Sequence, residues 1–564
     1  MRRLLELFHR EFKGVREAAF LLAMATVASN LLALLRDRLL ASRFGAGLEL
    51  DIYYAAFRVP DFLYTISLFF VASTAIIPLF LEKLAESEER ATEFIRSVFF
   101  AFLLSMIGII GVAYAVMPLL MPLLVPGFDE ASRAQAIQLA RILLASPALL
   151  GLSNLVSSIL QSYRKFLPYA ASFLFYNLGI ILGILFFVPY FGIAGLAGGV
   201  VLGALLHVGI QIPSLQKTIG GETSVNLRMF RLRWRATIPL EVFRRSFPRT
   251  LGLAATQLTF FAVTAIASTL GAGSIAVFQL SYNLQSIPLA VVGLSYSVAA
   301  FPTMAELIVK KERAIFFDHL VSAARHIIFW TLPITVLFIV LRAHIVRVVL
   351  GAGAFSWVDT RLTAASVALF AIGIVAQSLV ALFVRAFYAI GNTRVPVVVN
   401  VASAVLTVIL ALFFVQVLKE AQGIGQFFSG LLRVGDIENH ALLGLPLAFA
   451  LGAVVNAAIL GLSLGWVEGE FSPSKLGASA ADIAGASILL GIVTYGTLQL
   501  LSPFFYLNRF WGIFLHGLIA AGAGITAAVL LLYLRDNKEF AEIRDVIGHK
   551  FWRKKTIGPE QEHL

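Results

Sequence analysis

The chain has 564 residues, of which 59% are hydrophobic and only 13% charged, and its mean hydropathy is +0.88. Soluble domains use about 45–50% apolar and about 25% charged residues, so this composition excludes an ordinary soluble protein. The formal net charge is +12, but the basic residues are spread over many short loops, which argues against a nucleic-acid partner. The absence of cysteine from the sequence excludes disulfides and thiol chemistry.

Apolar runs long enough to cross a bilayer recur along the whole chain. A transmembrane helix needs about 20 predominantly apolar residues. We therefore predict an all-α polytopic membrane protein with about 14 transmembrane helices. The predicted spans are residues 17–41, 51–81, 94–118, 134–160, 167–188, 191–213, 247–270, 274–308, 318–341, 361–387, 395–415, 441–465, 481–502 and 510–534.

Basic residues are distributed unevenly between the loops. Most of the 44 Lys and Arg residues fall in the N-terminus, in every second loop and in the C-terminal tail. The positive-inside rule therefore predicts that both termini lie in the cytoplasm. Residues 1–16 alternate basic and apolar groups at helical spacing, which predicts an amphipathic segment on the anionic inner leaflet.

Charged residues interrupt the first two predicted spans. Arg36, Asp37 and Arg38 lie in or at the end of the first span, and Arg58 and Asp61 lie in the second. Each costs about 2.5 to 3.5 kcal/mol at the centre of a transmembrane helix, so we expect these residues to face a wet cavity or one another. Arg58 and Asp61 are three residues apart and share a helical face, and the proline between them is predicted to kink the helix.

Arg36 and Arg58 indicate what such a cavity could bind. A guanidinium stays charged at any physiological pH and offers a planar fork of donors suited to phosphate. Two arginines facing one cavity would therefore fit an anionic headgroup. The alternative is a structural network in which Arg36 pairs with Asp37 or Asp61 and holds the first two spans together.

The two halves of the chain resemble each other. ASRFGAG at 41–47 matches ASTLGAG at 267–273, and a basic turn, a proline and a span with a central asparagine recur at 160–187 and 384–414. Repeated halves are typical of transporters whose substrate site lies where the halves meet. The predicted domains are an amphipathic segment 1–16, an N-lobe 17–213, a basic cytoplasmic linker 214–246, a C-lobe 247–465, a pair of additional spans 466–534 and a basic cytoplasmic tail 535–564.

A stripe of glycines marks the sixth predicted span, at Gly192, Gly195, Gly199 and Gly203. This spacing places small residues on one helical face, where they allow a neighbouring helix to approach closely. Helix packing is therefore the predicted role of these glycines.

Residue patterns for catalysis are missing from the sequence. It has no HExxH, no P-loop, no zinc-ligand spacing and no paired carboxylates within the spans. We therefore predict a transporter rather than an enzyme, without a cofactor or metal site. Energy for transport would come from a gradient, the membrane potential or a partner.

Residues 36–63, 189–215 and 281–307 together resemble the MurJ (MviN) lipid II flippase family of the multidrug/oligosaccharidyl-lipid/polysaccharide exporter superfamily. The resemblance extends over nearly all of residues 15–534. It implies two pseudo-symmetric six-helix lobes around a central cavity, with residues 466–534 forming a hydrophobic groove for the polyprenyl tail. The implied function is to move undecaprenyl-diphosphate-linked peptidoglycan precursor to the outer leaflet of the bacterial inner membrane by alternating access.

Carried over residue by residue, the resemblance assigns Arg36 and Asp37 to the Arg–Asp pair of the family's first helix, and Arg58 to a position that is also basic in the family. Neutral residues stand at the other family arginine positions, Asn30, Tyr64, Thr65 and Asn283. The predicted substrate-binding residues are Arg36, Asp37, Arg58, Asp61, Asn283 and Gln285. The predicted hinges are Gly45 and Gly271.

Other functions fit parts of the sequence. A flippase for another polyprenyl-diphosphate glycan would handle the same diphosphate and tail. A cation-coupled small-molecule exporter of the same superfamily needs a titratable intramembrane acid, and the clear ones, Asp37 and Asp61, lie beside arginines. A scaffold of the wall-synthesis machinery would use the basic linker and tail. The expected partners are lipid II or a similar glycolipid, membrane lipids and cell-wall synthesis proteins.

Overall fold

The computed structural model describes residues 15–71, 73–219, 240–420, 424–468 and 474–552. Nearly all of these residues are helical, and no strand occurs among them, which confirms the predicted all-α class. Most of the predicted amphipathic segment 1–16, the centre of the linker 214–246 and the end of the tail 535–564 lie outside the described residues.

Short connections join the helices in sequence order. The α-helices are Val15–Phe44, Leu48–Ala56, Arg58–Val71, Ser73–Glu86, Glu88–Leu124, Glu130–Leu143, Ala145–Ser162, Phe166–Leu182, Val188–Phe191, Ile193–Gly209, Ile212–Ile219, Leu240–Ser268, Ser274–Pro288, Ser295–Val309, Arg313–Val340, Arg342–Val349, Trp357–Ile372, Ile374–Ile390, Arg394–Lys419, Ile424–Leu432, Gly444–Glu468, Ser474–Leu501, Phe510–Leu534 and Lys538–Trp552. Gly183–Phe187 and Leu289–Leu294 are π-helical, and Glu438–Leu443 and Ser502–Phe504 are 3₁₀-helical.

The predicted spans coincide with helical segments, but the count of fourteen is not confirmed. By length and composition, ten helices of the described chain can cross a membrane, or up to eleven if Trp357–Ile372 and Ile374–Ile390, which meet at a 43° bend, form one span. The predicted spans outside this set are 17–41, 51–81 and 247–270. The second is divided, and the third has only a short described apolar part, Ala254–Ser268.

Pro60 explains the first break in the second predicted span. The helix Leu48–Ala56 ends, Phe57 forms a turn, and a new helix begins at Arg58. A proline has no N–H to donate to the carbonyl four residues earlier, here that of Ala56, and its ring crowds that carbonyl. The bend therefore lies three residues before the proline rather than at it.

The described chain divides into two compact units. The first unit contains the described residues of Met1–Leu284 together with Val346–Val367 and Thr393–Gly452. The second unit contains Gln285–Ile345, Ala368–Asn392 and the described residues of Ala453–Leu564. The lobe boundaries inferred from the sequence stay a prediction.

Within the first unit, the helix Phe166–Leu182 packs against both Val15–Phe44 and Ile193–Gly209. Glycines make the second contact close, since a Cβ atom added to Gly179 would lie 2.3 Å from the Cα atom of Gly203. Gly195, Gly199 and Gly203 of the predicted stripe therefore do provide helix packing, whereas a Cβ atom at Gly192 would meet nothing within 4 Å. As a result, this helix is held firmly where it contributes to the candidate site.

Within the second unit, the helices Ser474–Leu501 and Phe510–Leu534 pack against each other, and Arg313–Val340 packs against the former. Buried Ile483 and Leu490 belong to their shared apolar core. The role of these two C-terminal helices as a groove for a lipid tail stays a prediction.

Candidate functional site

A cavity of about 190 Å³ lies inside the first unit and is lined by twelve residues. The lining residues belong to the helices Val15–Phe44, Leu48–Ala56, Arg58–Val71, Phe166–Leu182 and Ser274–Pro288 and to the turn at Phe57. They are Arg36, Asp37, Leu40, Tyr53, Tyr54, Phe57, Arg58, Asp61, Tyr176, Ile180, Gln279 and Asn283. Two arginines and two aspartates are among them, so the ionised lining groups balance in charge.

Arg36 and Asp37 form an ion pair at one part of this cavity. The Nε and Nη2 atoms of Arg36 donate to Oδ1 of Asp37 at 2.9 and 2.7 Å, and its Nη1 atom donates to Oδ1 of Asn177 at 3.1 Å. The second carboxylate oxygen of Asp37 accepts a hydrogen bond from Nδ2 of Asn283 at 3.0 Å. Both oxygens of Asp37 are therefore occupied by protein donors.

Arg58 is buried and has neutral hydrogen-bond partners. Its Nε atom donates to Oγ1 of Thr264 at 2.7 Å, and its Nη2 atom donates to Oε1 of Gln279 at 2.9 Å. Its guanidinium carbon also lies 5.1 Å from the ring centroid of Phe260, within cation–π range. A buried cation held by neutral oxygens retains its capacity to attract an anion.

A continuous chain of hydrogen bonds connects the two arginines. Gln279, which accepts from Arg58, donates through Nε2 to Oδ1 of Asn283 at 2.9 Å, and Asn283 donates to Asp37. The two amides thus link the guanidinium of Arg58 to the carboxylate of Asp37, which binds Arg36. Inside a low-dielectric protein such a chain strengthens its own bonds, and it holds both cations at one cavity.

Asp51 fixes the helix that carries these amides. Its carboxylate is buried and accepts hydrogen bonds from the backbone N–H groups of Gly273 at 2.6 Å and Ala276 at 2.7 Å. These donors lie at the N-terminus of the helix Ser274–Pro288, where an anion also interacts favourably with the helix dipole. Gln279 and Asn283 therefore project from a helix that is anchored at its start.

Asp61 differs from Asp37 in its partners. It lines the cavity one helical turn after Arg58, which is its electrostatic neighbour. Within the described part of the chain, no donor reaches its carboxylate, while its backbone carbonyl accepts a hydrogen bond from Thr65 at 3.1 Å. The carboxylate of Asp61 therefore remains available in the cavity.

The structure brings five of the six predicted binding residues together, namely Arg36, Asp37, Arg58, Asp61 and Asn283. The sixth, Gln285, belongs to the second unit, where it is buried and accepts a hydrogen bond from Gln377 at 3.3 Å. It is not part of the cavity lining.

Three further residues singled out from the sequence lie outside the cavity lining. Arg38 donates instead to the carbonyl of Val348 at 2.6 Å, near the C-terminus of the helix Arg342–Val349. Gly45 and Gly271 have φ angles of +63° and +100°, which residues with side chains rarely adopt. The hinge role of these glycines stays a prediction.

Sequence analysis missed three partners of the arginines. Gln279 lies one helical turn before Asn283, so the predicted binding role of Asn283 could have been extended to it. Asn177 is the central asparagine of one repeated span, which was a usable signal. Thr264 offered none, because a threonine in a transmembrane helix commonly bonds only a carbonyl of its own helix.

The model of the lipid II flippase MurJ family matches residues 40–515. The chain belongs to this family. The family consists of transporters rather than enzymes, so the absence of catalytic motifs from the sequence agrees with membership. Together with the apolar helices described above, membership makes the chain a multi-pass inner-membrane protein.

Individual relatives agree with this assignment. The probable lipid II flippase MurJ of Buchnera aphidicola subsp. Schizaphis graminum is 27% identical over 398 residues, which cover 69% of this chain and 76% of the relative. That of Rhizobium tropici is 27% identical over 510 residues, which cover 84% of this chain and 91% of the relative.

Solved structures show the same fold. A lipid II flippase MurJ in an inward closed conformation matches with a TM-score of 0.70 at 22% identity and covers 94% of this chain and 100% of its own. An inward-facing multidrug resistance MATE family transporter of the MOP superfamily matches with a TM-score of 0.63 at 15% identity and covers 80% and 95%. Both likenesses concern the fold, and it is the family match that favours a flippase over an exporter.

Proposed function

We propose that the chain carries lipid II from the inner to the outer leaflet by alternating access, and that the cavity holds the diphosphate of the lipid. Membership in the lipid II flippase family supplies the reaction. The cavity supplies a place for the anionic part of the substrate, because two permanent cations line it.

The bonding of Arg58 is the observation that carries this proposal. Its two acceptors, Thr264 and Gln279, are neutral oxygens. A phosphate oxygen that replaced either of them would convert a neutral hydrogen bond into a charge-assisted one, which is roughly twice as strong. Arg58 therefore gains interaction energy when a diphosphate arrives.

Arg36 can take part without losing its structural partner. Its Nη1 atom donates to the neutral amide of Asn177, while Nε and Nη2 bind Asp37. A phosphate oxygen could accept from Nη1 in place of Asn177 and leave the ion pair intact. The headgroup hypothesis and the structural-network hypothesis are therefore compatible.

The direction of transport follows from the charge pattern of the loops. The excess of basic residues in alternate loops supports cytoplasmic termini, so the substrate would be loaded from the cytoplasmic leaflet. The lobes 17–213 and 247–465 would then move about Gly45 and Gly271, whose positive φ angles support a requirement for glycine. Proteins of cell-wall synthesis are the proposed partners that deliver or consume the lipid.

The test is rescue of bacteria depleted of their own lipid II flippase. We expect growth with the wild-type chain and lysis with the Arg36→Ala, Arg58→Ala double variant at equal membrane abundance. Arg43→Ala is the matched control, because Arg43 is an exposed arginine on the same helix as Arg36. Growth of the double variant would refute the diphosphate assignment. Failure of a correctly inserted wild-type chain would indicate a different polyprenyl-diphosphate glycan.

A further inference from the structure

Binding of an anion explains the two arginines of the cavity, but it does not explain the presence of Asp61. Asp37, the other acid, has both oxygens satisfied by Arg36 and Asn283. The carboxylate of Asp61 receives no hydrogen bond from any described residue, although it faces the same cavity. A carboxylate in such a place needs a counter-charge.

Arg58 supplies that counter-charge only while no substrate is bound. Arg58 and Asp61 lie three residues apart on one helix, so they are neighbours on one helical face. Once a diphosphate binds to the guanidinium of Arg58, the diphosphate and the carboxylate of Asp61 are two anions in the same cavity. Like charges at close range in a low-dielectric site repel, so a bound diphosphate calls for an additional cation beside Asp61.

We propose that Asp61 binds a divalent cation of the Mg²⁺ type that arrives on the diphosphate of the substrate. This inference rests on the proposed function. Mg²⁺ prefers oxygen ligands and is commonly held by one or two carboxylates together with substrate phosphates, while it keeps several waters. The carboxylate of Asp61 and the diphosphate oxygens provide that set of ligands.

The described part of the chain explains why the ion must come with the substrate. No group of three or more His, Cys, Asp or Glu side chains among the described residues could hold a metal ion alone. One carboxylate is a weak site until phosphate oxygens complete it.

Equilibrium binding of lipid II to the purified full-length chain tests this site. Binding is measured in Mg²⁺ and in EDTA for the wild type, Asp61→Asn, Asp61→Glu and Glu49→Gln. Glu49 is an exposed acid on the neighbouring helix, so its variant controls for the loss of one negative charge. We expect Mg²⁺ to tighten binding at least tenfold for the wild type, Asp61→Glu and Glu49→Gln, and less than twofold for Asp61→Asn.

Each other outcome overturns a defined part of the proposal. If Mg²⁺ changes binding equally for the wild type and Asp61→Asn, the ion acts on the lipid alone and Asp61 does not bind it. If Mg²⁺ leaves lipid binding unchanged in all four chains, no metal ion bridges Asp61 and the diphosphate. If the folded wild type binds no lipid II in either buffer, the proposed function itself fails. An unchanged thermal midpoint of Asp61→Asn shows that the comparison concerns folded protein.

Discussion

Two polar networks in the first unit differ in charge, in burial and in access to a cavity. The cavity network contains two arginines and lines an open space of about 190 Å³. The second network, which we call the histidine network, joins the helices Ala145–Ser162, Phe166–Leu182 and Ile193–Gly209 and the turn after the last of them, and each member is at most 4% exposed. Its members are Ser153, Ser157, Ser172, His207 and Gln211.

Every polar group around His207 is satisfied with the ring neutral. The hydroxyl of Ser172 donates to the carbonyl of Tyr169 at 2.7 Å, so its oxygen accepts from Nε2 of His207 at 3.1 Å. The Nδ1 atom of His207 must then accept from the hydroxyl of Ser153 at 2.6 Å. No bonding capacity is left at the ring for a ligand.

The comparison separates two uses of polar residues inside a membrane protein. A neutral, closed and mutually satisfied set stabilises helix packing, because breaking it leaves buried groups unpaired. The cavity network carries permanent charge, Arg58 binds only neutral acceptors, and the carboxylate of Asp61 accepts no hydrogen bond from a described residue. Such a network can exchange hydrogen bonds within the protein for bonds to a ligand.

The largest expected effect is on lipid binding by Arg58→Met. The variant keeps a long side chain but removes the charge, and a hydrogen bond to a charged group is worth about 1.5 to 3 kcal/mol. We expect lipid II to bind roughly ten- to a hundredfold more weakly, since 1.4 kcal/mol is about tenfold in affinity. Binding is measured on purified protein beside the thermal midpoint. If the thermal midpoint fell sharply while the folded protein bound lipid II as tightly as the wild type, the role of Arg58 would be structural rather than in binding.

His207→Ala is expected to show the opposite pattern. Removing the ring breaks its two buried hydrogen bonds, to Ser153 and Ser172, and at about 0.5 to 1.5 kcal/mol for each bond the combined cost is about 1 to 3 kcal/mol. The free energy of unfolding should fall by that amount, while lipid affinity of the folded fraction stays unchanged. Loss of transport by His207→Ala with an unchanged thermal midpoint would contradict the structural role of this network.

Gly203→Ala is expected to affect both properties moderately. A Cβ atom at this position would lie 2.5 Å from the backbone oxygen of Tyr176, and Tyr176 lines the cavity. Overpacking typically costs about 1 to 3 kcal/mol, and the displaced helix should weaken lipid binding a few-fold. Gly209→Ala is the control, because a Cβ atom there meets nothing within 4 Å. Equal behaviour of the two variants in thermal unfolding would contradict the predicted close packing.

The smallest expected effect concerns pH and a histidine pair in the second unit. Nε2 of His344 lies 3.0 Å from Nδ1 of His516, whose Nε2 donates to the carbonyl of Leu498 at 3.0 Å. Burial, and to a smaller degree His516, lower the pKa of His344 from 6.5 to about 4. As the pH falls below 6.5, the unfolded chain binds a proton at His344 that the folded chain does not, so stability decreases down to about pH 4.

The measurement is the thermal midpoint between pH 7 and pH 5. We expect a decrease of a few degrees at most for the wild type, and a smaller decrease for His344→Gln, which does not titrate in this range. A steeper decrease in the variant would show that His344 is not the group responsible. The result extends the comparison to a neutral, closed pair of histidines in the second unit.

Local patterns predicted the helices and part of the candidate site. Arg36 and Asp37 are adjacent in the sequence, and Arg58 and Asp61 share a helical face, so the proximity of each pair needed no knowledge of distant contacts. Gln285 shows the limit of such reasoning. It is only two residues from Asn283, yet it points into the packing of the second unit, because successive residues of a helix face different sides.

The sequence by itself determined the all-α membrane class, the positions of most of the apolar helices and the presence of cations within apolar segments, because hydropathy and charge are properties of local segments. Only the tertiary structure decided which neutral groups hold those cations. Thr264 is 206 residues from Arg58, and Asn177 is 141 residues from Arg36. Helical periodicity specifies the face on which a side chain lies, but not which distant helix packs against that face. The partners of the arginines, and with them the free carboxylate of Asp61, therefore emerge only when the helices assemble.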